Sequence, residues 1–268
     1  MQDIRIATVI CNVRVGKIRD NLDKTASFAE RARKEGASII CFPELNVTGY
    51  TNHQDILKIA QSIPGPASRE LLKIAGACNL LVLAGMAEKG NDGHIYASHL
   101  IVKPDGELKI YRKLHIAPPE KERYSPGKDI STHRYNGTCF GIQLCYDAHF
   151  PELSTHMAVQ GAEILFMPHA SPRGLAVEKH NSWLRHLTAR AYDNSVFVVA
   201  CNQTGSNGMG LTFPGNAVVI GPTGNVIAKS LSSRERIMLT DLEAEELHRV
   251  RSNPMHFFLP NRRPDMYA

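Results

Sequence analysis

The sequence GIQLCYDAHFPE at residues 141–152 has the pattern of a buried strand, a turn and the start of a helix. Its first half is apolar enough for a buried strand, and Pro151 is typical of the first turn of a helix. Cys145 is therefore predicted at the point where the strand ends. Free backbone N–H groups at such a turn stabilise a thiolate or a developing oxyanion, so Cys145 is a candidate nucleophile. Its position alone favours the simpler interpretation of a small buried core residue.

Strand-like and helix-like segments alternate on both sides of this stretch. Strand composition occurs at residues 4–11, 37–42, 80–87, 95–102, 108–112, 138–144, 164–167 and 196–200, and helical periodicity at 21–35, 67–77, 151–160 and 181–192. A later hairpin has its turn at 221–224. Helices that alternate with strands and end in hairpins indicate a layered α/β domain with a mixed sheet or a pair of sheets. No linker or repeat interrupts this pattern, so we expect one domain over residues 1–268.

The composition excludes several classes of protein. The chain has 268 residues, of which 43% are hydrophobic and 21% charged, as in an ordinary globular protein. No apolar run approaches the roughly 20 residues of a membrane span, and the N-terminus lacks the apolar core of a signal peptide, so we expect a soluble, cytoplasmic protein without a membrane partner. The net charge of +5 is scattered rather than clustered, which disfavours nucleic acid as a partner. The six cysteines include no Cys-x-x-Cys pair, which argues against a zinc or redox motif.

Two further polar residues follow strand-like runs in the way that Cys145 does. Glu44 comes directly after the apolar run 39–43, and Lys113 ends the run 110–112. Strand ends are where α/β proteins tend to build their sites, so a carboxylate, an ammonium and a thiol could converge at one sheet edge. Each also has a simpler explanation, because Glu44 could cap a helix and Lys113 could lie on a solvated edge.

Two other cysteine-hydrolase arrangements fit this sequence poorly. Twelve histidines are too many to single out a base for a Cys–His pair. The Gly-x-Cys/Ser-x-Gly elbow of α/β-hydrolases and glutamine amidotransferases does not occur around Cys145, because Gln143 and Asp147 stand where its glycines would be.

Three sequence blocks, taken together, resemble the signatures of the nitrilase superfamily of carbon–nitrogen hydrolases. They are FPEL with TGY (42–45 and 48–50), YRKLH (111–115) and LCYD with FPE (144–147 and 150–152), in the order and spacing of that family. Further matches at 160–165, at 189–191 with Asn194, and at 262–267 extend the likeness over essentially the whole chain. The resemblance implies a four-layer α-β-β-α sandwich that forms a homodimer or a higher homo-oligomer and needs no metal or organic cofactor.

The resemblance also implies a Glu-Lys-Cys triad. Carried over residue by residue, it makes Cys145 the nucleophile, Glu44 the general base and Lys113 the oxyanion stabiliser. The backbone N–H of Tyr146 is the second expected oxyanion donor.

A second glutamate often lies between the lysine and cysteine blocks of this family. Glu120 fits that position better than Glu122 by its distance from the Pro-Gly pair at 126–127. Both assignments stay open, and either residue could be an ordinary solvated loop acid.

The candidate substrate-binding residues are Tyr50, His149, His169 and Arg173. Relatives that hydrolyse N-carbamoyl-D-amino acids carry two arginines shortly after the cysteine to hold the substrate carboxylate, where this chain has Ala148 and His149. A carbamoyl amino acid is therefore a less favoured substrate, although Arg173 could supply a cation. His169 could line the pocket or be a hydrogen-bonded loop histidine.

We therefore predict an amidase or N-carbamoyl amidohydrolase that cleaves a small amide or N-carbamoyl amine through a thioester on Cys145 and releases ammonia. Lys113 should lower the pKa of the thiol, and partial burial should raise the pKa of Glu44. Cys145-Tyr146-Asp147 resembles the amidase and carbamoylase branches more than the Cys-Trp-Glu sequence of nitrilases. The alternatives are nitrile hydrolysis, acyl transfer to an amine, and a non-catalytic binding or scaffold role.

Overall fold

The computed structural model describes residues 1–266, so the last two residues of the predicted domain lie outside the described part. In chain order the strands are β1 (Ile4–Ile10), β2 (Ile39–Cys41), β3 (Leu81–Lys89), β4 (Ile95–Val102), β5 (Leu108–Arg112), β6 (Thr132–Tyr135), β7 (Thr138–Ile142), β8 (Ile164–His169), β9 (Phe197–Asn202), β10 (Thr204–Ser206), β11 (Thr212–Pro214), β12 (Asn216–Ile220), β13 (Val226–Leu231) and β14 (Arg236–Leu242). The α-helices are α1 (Ile18–Lys34), α2 (Ile56–Ile59), α3 (Pro66–Cys78), α4 (Pro151–Val159), α5 (Ala176–Asn194) and α6 (Ala244–Arg251). Short 3-10 helices cover Pro118–Glu120, Cys145–His149, Leu259–Asn261 and Pro264–Met266. Within residues 1–266, none of the helices combines the length and hydropathy needed to cross a bilayer.

Two six-stranded mixed sheets form the inner layers of the molecule. Their strand orders are β14-β1-β2-β3-β4-β5 and β13-β12-β9-β8-β7-β6. Hydrophobic side chains of both sheets share one core, in which Ile6 of β1 and Phe140 of β7 are fully buried. Helices α1 and α3 cover the first sheet through a second core, and α4 and α5 cover the second sheet. The predicted four-layer α-β-β-α sandwich is confirmed.

Strand β1 shows why these strands are largely apolar. Ile4, Ile6 and Ile10 face the core between the sheets, and Ala7 and Val9 face the core under the helices. Because both faces of the strand are buried, polar residues are excluded from nearly every position.

The strand directions bring the candidate residues to one end of the sandwich. Strand β2 is parallel to β3, and β4 is antiparallel to both β3 and β5, so β2 and β5 end on the same side. In the second sheet β7 and β8 are parallel. Glu44 and Lys113 therefore follow strand ends of the first sheet, and Cys145 follows a strand end of the second.

Most predicted elements match the observed ones to within a few residues. Helix α5 begins at Ala176 rather than at residue 181, because the Glu178 carboxylate accepts the Leu175 N–H at 3.0 Å and caps an earlier turn. Strand β14 pairs antiparallel with β1 and so joins opposite ends of the chain, which no local pattern indicates.

Candidate active site

Three charged side chains from separate segments meet in a buried ion network. The Lys113 ammonium lies 2.9 Å from Oε1 of Glu44 and 2.9 Å from Oε2 of Glu120. Lys113 has a relative exposure of 0%, Glu44 of 1% and Glu120 of 4%. Charges removed this far from water are tolerated only when they are paired, so the three side chains hold one another in place.

Burial and neighbouring charge determine the protonation of this network. Burial raises the pKa of Glu44 to about 7, although Lys113 acts in the opposite direction. Burial lowers the pKa of Lys113, but the carboxylates of Glu44 and Glu120 outweigh it, so this pKa lies well above its usual range. At neutral pH the network therefore combines a permanent cation with a carboxyl group that can gain or lose a proton.

Cys145 begins its 3-10 helix in a left-handed backbone conformation, with a φ of +45°. This conformation is unfavourable for a residue with a side chain, and strain of this kind is concentrated at functional sites. The N–H of Ala170, just after β8, donates to Oε2 of Glu44 at 3.0 Å. The candidate base is thus held by a backbone donor at the end of β8. The Tyr146 N–H lies in the first turn of the same helix, where backbone donors lack intrahelical acceptors.

The Cys145 thiol has a pKa well above its usual range. Burial is the main cause and the charge of Glu44 the next. Lys113 lowers the pKa, as predicted, but this effect is outweighed because the sulfur is desolvated near two carboxylates. The thiol therefore stays protonated at neutral pH and needs a base before it can act as a nucleophile.

A cavity of about 300 Å³ opens onto Cys145 and Glu120. Its other lining residues include Tyr50, Pro119, Ser171, Pro172, Arg173 and Leu211. The volume is at the low end of the range for ligand sites, which suits a substrate of few heavy atoms.

Comparison with known proteins identifies the family. Residues 5–252 match the family model described as carbon-nitrogen hydrolase. The chain belongs to this family. A nitrilase of Pyrococcus abyssi is 28% identical over 98% of this chain and 99% of its own length, and an N-carbamoylputrescine amidase of Oryza sativa is 29% identical over 92% and 88%. A cysteine-to-alanine mutant of the Nesterenkonia amidase, a nitrilase-superfamily protein solved in complex with butyramide, has a TM-score of 0.81 at 26% identity over 93% of this chain and 94% of that one.

The predicted membership of the nitrilase superfamily is therefore confirmed, and so is the prediction of a carbon–nitrogen hydrolase. The identification rests on the family match over nearly the whole chain rather than on the single cysteine.

The hydrolase holds its cysteine turn through Asp147, a buried residue to which the sequence analysis gave no role. Its carboxylate accepts the Tyr111 hydroxyl at 2.8 Å and the backbone N–H groups of Leu144 at 2.9 Å and His115 at 2.8 Å. Asp147 lies in the LCYD block, and this position is the sequence feature that could have identified it as part of the site. It fixes the turn on which the thiol sits.

Arg190 of α5 holds the same turn from the other side. Its guanidinium donates to the backbone carbonyls of Ala148 and His149, both at 3.1 Å. It lies in the 189–194 match, which carried no chemical role in the sequence analysis. Gln203 holds the backbone of Glu44, the candidate base. Its side-chain amide donates to the Glu44 backbone carbonyl at 2.8 Å.

The four predicted substrate-binding residues fall into two groups. Tyr50 and Arg173 line the cavity with Cys145. His149 and His169 are not among its lining residues in the described part of the chain. The His149 ring lies 4.4 Å from the ring of His186, and the buried His169 shares a hydrogen bond of 2.7 Å with the Met167 carbonyl.

The structure brings Glu120, and not Glu122, to the lysine. Glu120 ends the 3-10 helix Pro118–Glu120 with its carboxylate on Lys113. The Glu122 side chain is 85% exposed and lies 3.6 Å from Arg123. Of the two glutamates that the sequence left open, Glu120 is the one placed to act on the network.

Metal ligands are not clustered at this site. Within residues 1–266, no group of three or more His, Cys, Asp or Glu side chains is arranged to hold a metal ion.

Proposed function

We propose that the chain hydrolyses a small amide or N-carbamoyl amine through a thioester on Cys145, with release of ammonia. The observation that carries this proposal is the buried network of Glu44, Lys113 and Glu120 beside the cysteine, with the Ala170 N–H donating to the carboxylate of Glu44. A small aliphatic amide is supported by the cavity volume and by the related amidase that was solved with butyramide. The name of the Oryza relative supports the carbamoyl option.

Glu44 begins the reaction as a general base. Its pKa of about 7 leaves much of it ionised at neutral pH. It takes the thiol proton while the sulfur attacks the carbonyl carbon. Because the pKa of the thiol is high, the proton moves together with the attack rather than ahead of it.

Lys113 and the Tyr146 N–H stabilise the oxyanion of the tetrahedral intermediate. An ammonium has three donors, and Glu44 and Glu120 occupy two of those on Lys113, so one is left for the oxyanion. A donor of this kind typically stabilises the transition state by about 2.7–4 kcal/mol. Glu120 keeps the ammonium charged and in position.

Glu44 then returns its proton to the leaving nitrogen. Ammonia departs, the carbon–nitrogen bond is broken and the acyl group stays on Cys145 as a thioester. Water enters, Glu44 takes one of its protons, and the resulting attack releases the carboxylic acid and restores the thiol.

The proposal is tested by measuring ammonia release and the intact mass of the protein during incubation with butyramide and with an N-carbamoyl amine. Cys145→Ala should lower turnover by at least about 1000-fold. Cys78→Ala, at a cysteine of α3 remote from the cavity, is the matched control and should behave as the wild type. Added hydroxylamine should trap the thioester as a hydroxamate. Turnover that survives in Cys145→Ala would overturn thioester chemistry.

A further inference from the structure

The loop of the β10–β11 hairpin, residues 207–211, contributes Leu211 to the wall of the active-site cavity. The Leu211 side chain is partly buried and packs against a hydrophobic cluster that includes Tyr50 and Phe213. Cys145 lines the same cavity. A group bound to the cysteine therefore shares this space with Leu211.

Asn207 holds the backbone of Leu211 at both of its polar groups. The Leu211 N–H donates to Asn207 Oδ1 at 3.1 Å, and the Asn207 N–H donates to the Leu211 carbonyl at 3.0 Å. Nδ2 of Asn207 also donates to the Tyr50 carbonyl at 3.0 Å, so the loop is attached to a second residue of the cavity wall. Asn207 is buried, and a buried polar group that loses its partners destabilises the protein. Leu211 therefore cannot move away from the cavity without breaking these hydrogen bonds.

The strands of the hairpin are anchored to the segment that follows β1. The Thr204 N–H donates to the Cys11 carbonyl at 3.0 Å. Nδ2 of Asn12 donates to the carbonyls of Thr204 at 2.7 Å and Ser206 at 2.8 Å. The hairpin is thus held at its strands as well as at its loop, which makes Leu211 a rigid boundary of the cavity.

The proposed chemistry places the variable part of the substrate in this space. The leaving group is ammonia, so the rest of the substrate lies on the carbonyl side and stays attached to Cys145 in the thioester. A chain that grows from Cys145 fills the cavity of about 300 Å³, and Leu211 is one of the apolar side chains against which it packs.

We propose that Leu211 determines the longest acyl chain that the enzyme accepts. This inference rests on the proposed amide hydrolysis and adds the residue that limits the size of the substrate. A chain that ends before Leu211 gains affinity with each buried methylene, by about fourfold per methylene. A chain that is too long meets a side chain that cannot move away, and one methylene too many lowers kcat/KM by about 10- to 200-fold.

The test measures kcat/KM for unbranched primary amides of increasing length, from acetamide to octanamide. In the wild type, kcat/KM should rise with length and then fall by about tenfold or more at a limiting chain length. Leu211→Ala replaces an isobutyl group by a methyl group, so this limit should move to chains about two or three carbon atoms longer. Leu211→Val disturbs the packing less and should move the limit by about one carbon atom. Met209→Ala changes a residue of the same loop that is 40% exposed, and as the matched control it should keep the wild-type limit.

A wild type that hydrolyses every amide up to octanamide without a limit would overturn the role of Leu211. So would an unchanged limit in Leu211→Ala and Leu211→Val when circular dichroism shows that both variants are folded. Calorimetric binding of the same amides to Cys145→Ala, alone and combined with Leu211→Ala, gives a readout that needs no turnover. If the wild type hydrolyses none of the amides but a binding limit is present and moves with Leu211→Ala, the proposed function fails and the role of Leu211 stands. If the binding limit is missing or does not move, the role of Leu211 is wrong.

Discussion

The hydroxyl of Tyr111 lies 2.8 Å from Oδ2 of Asp147, and this hydrogen bond connects the two sheets. Tyr111 is in β5, two residues before Lys113, and Asp147 is in the turn, two residues after Cys145. The bond therefore joins the strand that leads to the ammonium with the turn that carries the thiol. The distance between Lys113 and Cys145 therefore depends on the hydrogen bond between Tyr111 and Asp147, to which neither catalytic residue contributes.

Tyr111→Phe removes this hydrogen bond and keeps the aromatic packing. Asp147 retains its bonds from Leu144 and His115, so we expect the chain to fold with a free energy of unfolding lower by about 1.5–3 kcal/mol. A small displacement of Lys113 from Cys145 should lower kcat by about tenfold. Denaturant unfolding and steady-state ammonia release measure the two effects. Tyr192→Phe, at an exposed tyrosine of α5, should change neither, and an unchanged kcat in Tyr111→Phe would show that the spacing does not depend on this bond.

Glu44 should produce an ascending limb in the pH–rate profile. Burial raises its pKa to about 7, and only the ionised carboxylate can accept the proton of Cys145. For a neutral amide, kcat/KM should therefore increase as the pH rises through about 7, and should fall about tenfold per pH unit well below it. The pKa of Lys113 lies well above this range, so the ascending limb reports the ionisation of Glu44. A rate that stays constant between pH 5.5 and 8.5, values chosen to bracket Glu44 at about 1.5 units on each side, would contradict the role of Glu44.

Substitution of the two neighbouring glutamates should give opposite results. Glu120→Gln removes one of the charges that hold Lys113 in place, so kcat should fall by about 100-fold. Glu122→Gln changes an exposed side chain and should leave kcat within about twofold. Both are measured by ammonia release on the same amide, with circular dichroism as the check on folding. Equal kcat values for the two variants would mean that Glu120 only pairs the lysine structurally.

The substitution Gly85→Ala should displace Glu44, the proposed base, by pushing on the backbone of the residue that follows it. A Cβ at Gly85 of β3 would lie 2.5 Å from the backbone nitrogen of Leu45, the residue after Glu44. Leu45 already has a φ of +57°, so its turn has little freedom to move away. We expect a loss of about 1–3 kcal/mol in the free energy of unfolding and a lower kcat.

Gly76→Ala is the matched control for this substitution. The nearest atom to a Cβ there is 3.6 Å away, and alanine in the last turn of α3 should leave stability unchanged or raise it by up to about 0.5 kcal/mol. Chemical denaturation and ammonia release are measured on both variants. Wild-type stability and activity in Gly85→Ala would show that the turn after Glu44 yields more easily than its packing indicates.

The sequence predicted the strands that are buried on both faces better than the others. Strands β1 and β8 are largely apolar, because nearly all of their residues are buried. Strands β6 and β14 are partly exposed and have mixed composition, and β14 gains its place only by pairing with β1 at the other end of the chain. A strand that depends on a distant partner leaves little trace in its own residues.

The sequence by itself determined which chemical groups stand at the strand ends, because residue type, order and spacing are local properties of the chain. Glu44, Lys113 and Cys145 were placed at strand ends in this way, and their catalytic roles were predicted from the resemblance to the nitrilase superfamily. Only the tertiary structure decided that Glu120 rather than Glu122 reaches the lysine and that the thiol stays protonated. Those properties depend on burial and on the distance between charges from separate segments, and both arise only when the two sheets and their helices pack together.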